Sequence, residues 1–119
     1  MVAGQLSAGE IERRLPLWIA LSDLFLDTEP TRSTYENIAR TIIGHGFQPE
    51  HAEAIFREDV APAFWINLLA PAGEWQGWED GLVRERVIRS RRSPISRFAA
   101  WLFCRRIVDE EWAKVAALL

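Results

Sequence analysis

Leu15-Pro-Leu-Trp-Ile-Ala-Leu-Ser-Asp-Leu-Phe-Leu26 is the most apolar stretch of the chain, and its reading decides the fold. From Leu17 to Leu26 only Ser22 and Asp23 are polar. A helix with so few polar positions is buried on nearly every side, which predicts the central helix of a helical core. The stretch is too short to cross a bilayer, which takes about 20 apolar residues, and Pro16, Ser22 and Asp23 make it too polar. Ahead of it, Ser7 and Glu10 have the spacing of a capping box that opens a helix running to about Leu26. Pro16 removes one backbone bond from that run, so the helix kinks there or a second one begins.

Downstream the apolar residues keep helical spacing, and no stretch alternates as a strand would. Ser33 and Glu36 read as a second capping box, followed by the apolar stripe Tyr35, Ile38, Ala39, Ile42 and Ile43. Gly44 and Gly46 supply a left-handed stop. Gln48 and Pro49 open a third helix with Ala52, Ile55 and Phe56 inward and a Glu53–Arg57 pair at i, i+4. Pro62 ends or bends it, and Ala63 to Leu69 continue as a short apolar segment. Residues 70–81, with their glycines, proline and two tryptophans, read as an ordered loop. A helix from about Asp80 to Ser90 follows. Ser93 and Pro94 start another, with the stripe Ile95, Phe98, Ala99, Leu102 and Phe103, and Asp109 caps a last one carrying Trp112, Val115, Ala116 and Leu119 inward. The expectation is an all-α, compact single-domain bundle of six or seven short helices spanning residues 1–119, without repeats or linkers.

The bulk numbers agree. A chain of 119 residues supports one core, and 49% apolar with 26% charged residues is a globular composition. Six Trp and six Phe are many for this length, enough for one or two to face a partner. Cys104, the only cysteine, excludes an internal disulfide, and with two His a structural zinc site is not expected. No basic head with an apolar run and a small-residue cleavage site is seen, so the reading is a cytoplasmic protein that does not enter a membrane.

Charge is divided along the chain. Residues 1–80 carry 13 acids and 5 bases, a net of −8; residues 81–119 carry 9 bases and 4 acids, a net of +5; together they give −3. Between Arg84 and Arg106 stand eight Arg and one acid, Glu85. The bland account, which we prefer, is that this segment folds against the acidic helices and pairs internally or is simply solvated. Arg97, Trp101 and Arg105 stand four apart and share a helix face, a pattern that serves phosphate or nucleic acid. Stacking of both guanidinium groups on Trp101 explains it more simply, and a pI near 5.4 is wrong for a dedicated nucleic-acid binder.

Chemistry-bearing constellations are weak. Asp23, Asp27 and Glu29 cluster at the end of the central helix, where turn formation explains them as well as acid–base or metal chemistry does. His45 and His51 lack a third ligand, and one of them suits a helix end. Cys104 has basic neighbours but no base to activate it. The Gly73-Glu74-Trp75-Gln76-Gly77-Trp78 loop is equally an exposed contact patch or a plug for the core.

The string Trp18-Ile-Ala-Leu-Ser-Asp-Leu-Phe-Leu-Asp-Thr-Glu29, with Asn67-Leu-Leu69 and Gly73-Glu-Trp75, resembles a family of small bacterial proteins known only as a domain of unknown function. The resemblance covers roughly Glu12 to Ile88; Pro16 and the Arg-rich tail depart from it. It implies a compact helical protein and nothing catalytic.

The leading expectation is therefore a non-catalytic, cofactor-free binding protein, foremost a bacterial immunity protein that neutralises a toxin by direct binding, its acidic surface covering a basic nuclease cleft. Candidate partner-binding residues are Asp27, Glu29, Glu74, Trp75, Trp78, Arg91, Arg97, Trp101 and Arg105. Behind it stand a nucleic-acid-associated regulator using Arg89, Arg91, Arg92, Arg97 and Arg105, and a small enzyme using Asp23, Asp27 and Glu74.

Overall fold

The computed structural model describes residues 6–26, 30–65 and 79–119. Among them there are five helices and no strand, so the all-α expectation holds with fewer, longer elements. Helix α1 is Ala8–Ser22 and runs into a 3-10 turn, Asp23–Phe25. Ser7 caps it, its hydroxyl accepting from the Glu10 N–H at 3.1 Å. Pro16 lies inside α1 without ending it; the carbonyl that loses its donor belongs to Glu12, on an exposed stretch where water serves.

Helix α2 is Arg32–Gly44, and its capping box is Thr31 with Thr34 rather than Ser33 with Glu36. Thr31 is extended, at φ −103° and ψ 172°, so Ser33 is already helical, and Glu36 instead meets Arg32 at 3.6 Å. At the other end Phe47 N–H reaches the Ile42 carbonyl at 3.0 Å and Gly46 N–H the Ile43 carbonyl at 3.2 Å. This is a Schellman stop, and it needs Gly46 at φ 72°. His45 is the C-cap, as a helix-end histidine was expected to be.

Helix α3 begins as Pro49–Ile55 with Pro49 in the first turn, widens into a π turn, Phe56–Val60, and ends in Ala61–Phe64. Pro62 brings no N–H to the turn before it, and Ala61 N–H reaches back to the Phe56 carbonyl, so the rod 49–64 bends through a bulge instead of stopping. Helix α4 is Asp80–Arg91 and α5 is Pro94–Ala116. The expected break at Asp109 is absent: no Gly or Pro stands between Ile95 and Ala116, and Asp109 sits mid-helix.

The quoted stretch is indeed central. Leu17, Trp18, Leu21 and Phe25 are completely or almost completely buried, with Ile38 and Ile42 of α2, Phe56, Val60 and Phe64 of α3, and Val83 and Val87 of α4 around them. Phe25 meets Phe56 and Phe64 at ring distances of 6.0 and 6.5 Å, and Phe56 meets Trp112 at 6.3 Å. Such pairs add about 0.5–1.5 kcal/mol each beyond the area they bury.

Helix α5 overturns one expectation. Its inward residues are Ala100, Cys104, Val108, Trp112 and Val115, whereas Ile95, Phe98, Leu102 and Phe103 are 81, 62, 54 and 66% exposed. The last turn of α3 packs on α5, with Ala61 beside Ala100 and Cys104, and small residues on both sides let the two backbones come close. Hydropathy alone ranks the large apolar stripe inward; close helix contact selects the small one.

Candidate protein-interaction surface

Apart from Arg97 and Arg105, which flank Trp101, and Ser96, the first half of α5 is apolar: Ala100 and Cys104 inward, Ile95, Phe98 and Leu102 outward, Phe103 and Trp101 on the flanks. So many large apolar side chains left exposed on one helix mark an interaction surface. Phe103 has a stacked neighbour, Trp65, at 5.9 Å, and Phe98 leans on Trp101 at 6.1 Å.

On one flank, between α3 and α5, lies a groove of about 160 Å³. Its floor is Ala61, Ala100 and Val108, and its rim is Arg57, Trp101 and Arg105. The volume is below the roughly 300 Å³ at which small-molecule sites begin, so it suits one inserted side chain. Arg57 is held by Glu53 at 2.9 Å and Asp109 at 2.7 Å. Burial alone would lower its pKa, but those two carboxylates outweigh it and raise it. Arg105 lies over the exposed Trp101 ring at 5.3 Å and has no carboxylate partner among the described residues. Arg97, expected on the same ring, turns instead to Glu58 at 3.5 Å. Cys104 borders the groove but is inert: burial pushes its thiol up to about 11, and Sγ donates to the Ala100 carbonyl at 3.0 Å.

Arg91 has a different place from the one expected. It pairs with Asp59, a fully buried carboxylate on the π turn of α3. Asp59 also accepts from Arg14 Nη1 and from Trp18 Nε1, each at 2.9 Å. Glu10 completes the cluster by accepting from Arg14 Nε at 2.6 Å. That bond holds the Glu10 carboxyl below its ordinary 4.5, against the opposing effect of burial. For Arg14 burial is the largest influence and lowers its pKa, but bonds to Glu10 and Asp59 raise it overall. The cluster ties α1, α3 and α4 together and is structural. Residues so far apart in the chain give no local signal; the one hint was Trp18, whose buried indole N–H required an acceptor.

The remaining candidates are dispersed. Asp27, Glu29, Glu74, Trp75 and Trp78 lie outside the described residues. Asp23 is half-buried, and burial raises its pKa. Arg89 pairs with Glu85 at 2.8 Å, and Arg92 is exposed. His51 sets its ring edge-on to Phe47 at 5.9 Å, away from any ligand role with His45. Among the described residues no group of three or more His, Cys, Asp or Glu is placed to hold a metal ion, and no helix is long and apolar enough to cross a membrane.

Fold and surface together define a single-core, all-helical protein. Residues 12–118 match the family described as "Domain of unknown function (DUF7079)", and the chain belongs to that family. The match runs past Ile88 through the arginine-rich segment, further than the resemblance read from the sequence. No curated protein and no solved structure matches the chain.

Proposed function

We propose that this protein is a non-catalytic protein-binding module that takes an apolar side chain of its partner into the α3–α5 groove and the partner's neighbouring carboxylates onto Arg105. Among roles in this class we place first the neutralisation of a bacterial toxin by direct binding. The observation that carries the reading is Trp101 with Arg105: an exposed aromatic and a cation without a carboxylate partner among the described residues, at the mouth of an apolar groove the size of one side chain. Aromatic and arginine anchors around a small pocket are the residues that dominate protein interfaces. Part of the acidic charge expected to meet a basic cleft is spent internally, with Glu10, Glu53, Glu58 and Asp59 paired to arginines of the same chain.

The test is affinity purification of the tagged protein from its native cells, beside Trp101→Ala and Arg105→Glu. A stoichiometric protein partner retained by the parent and lost by both variants supports the reading, and growth rescue by co-expression assigns the toxin-neutralising role. A partner that both variants retain refutes the groove. Capture of nucleic acid instead, falling steeply with salt, refutes the class and moves the arginine segment to a regulator's role.

A further inference from the structure

Steps of three and four residues along α5 place Ile95, Phe98, Leu102, Arg106, Asp109 and Ala113 on one outward stripe, and all six are exposed. The stripe is graded. Its first half carries large apolar side chains, its middle carries Arg106 and then Asp109, and its second half carries the small Ala113 and Ala117. Paired by size and charge, Leu102 goes with Ala113, Phe98 with Ala117, and Arg106 with Asp109. All three pairs share one midpoint, between Ile107 and Val108. A stripe with that symmetry is complementary to itself when turned end for end, as a twofold interface requires.

We propose that this stripe is a dimer interface, on which α5 of a second copy of the chain packs antiparallel about a twofold axis beside Ile107. Leu102 and Phe98 of each copy then lie over Ala113 and Ala117 of the other, large against small, so the helices interlock. Arg106 meets Asp109 of the other copy twice, once on each side of the axis. Each already has one partner within its own chain and keeps further capacity: Arg106, its side chain 93% exposed, meets Glu110 at 3.3 Å through Nε, and Asp109 engages Arg57 through Oδ1. In a parallel arrangement, or with Leu102 on the axis, bulky residues would meet bulky ones and the charges would lose their partners. The apolar stripe offers on the order of 500 Å² per copy, at the upper end of what a monomer leaves uncovered and at the lower end of a specific interface. The dimer is therefore reversible and concentration-dependent. The stripe adjoins the groove: Phe98 packs on the rim residue Trp101, and Asp109 pairs with the rim residue Arg57.

Sedimentation velocity on the full chain at rising concentration tests this. The mass should climb from 13.6 kDa towards twice that value. Leu102→Glu and Ala113→Glu, both at exposed helical positions, should each weaken association by at least about tenfold while keeping the helical circular dichroism of the parent. Glu12→Ala, at an exposed position of α1, should leave it unchanged. Ala113→Glu is the discriminating variant, because only the twofold pairing of Leu102 with Ala113 makes the second half of α5 part of the interface. A parent that stays at 13.6 kDa at every concentration overturns the proposal, and so does a dimer indifferent to Ala113→Glu.

Discussion

Asp59→Asn is the most informative perturbation of the fold. The carboxylate is fully buried and serves three donors, Arg14 Nη1 and Trp18 Nε1 at 2.9 Å and Arg91 Nη1. Asparagine keeps the shape but removes the charge, and its amide N–H₂ would point a donor at a donor. Glu10 can still balance Arg14 through Nε, but nothing in Glu10 reaches across to α4. Breaking a buried ion pair by removing one partner costs about 3–5 kcal/mol, against a total stability of about 5–15 kcal/mol for a domain. For a chain of this length that lowers Tm by roughly 12–20 °C. Urea unfolding followed by circular dichroism measures it, with the midpoint falling and the slope unchanged. Trp18→Phe gives the internal comparison: it deletes one hydrogen bond and leaves both arginines paired, so about 1–2 kcal/mol is expected. An Asp59→Asn protein within about 1 kcal/mol of the parent would refute the view that this cluster fastens α1, α3 and α4 together.

Two further outcomes follow from ionisation. Burial raises the Asp23 pKa above its ordinary 3.8, so the folded state favours the protonated acid and bears a cost wherever the group is ionised. Asp23→Asn should therefore raise Tm near pH 7, with the gain shrinking as pH falls and vanishing below 3.8, where both states are protonated; a gain that persists at low pH would contradict this origin. Cys104, with its thiol pushed up to about 11 and tied to the Ala100 carbonyl, should resist alkylation at neutral pH in the native protein and react readily in denaturant. Equal rates in the two states would show that the inward face of α5 is open.

Much of the helical core was legible in the sequence, because local rules wrote it. The apolar run Leu17–Leu26, the Ser7 and Ser93 caps, Pro49 in a first turn and the glycine stop after α2 each act through neighbours a few residues away, and each is where it was expected. The α2 cap lies two residues ahead of the expected Ser33, because Thr31 is the last extended residue and its hydroxyl accepts from the Thr34 N–H, a Thr–Thr box that the Glu or Gln capping pattern does not flag. The expected membership of a family of unknown function was likewise met, by a match over residues 12–118. What the sequence left undecided depends on which surfaces meet. The orientation of α5 is set by the packing of the last turn of α3, with Ala61 beside Ala100 and Cys104, and that contact turns the larger apolar stripe outward. The split of the arginines is set the same way. Arg91 is drawn to a buried acid 32 residues away while Arg105 remains on the surface over Trp101. Hydropathy scores a residue's preference for burial, but three-dimensional packing allocates the limited interior, and it gave that space to the side chains small enough to let two helices touch.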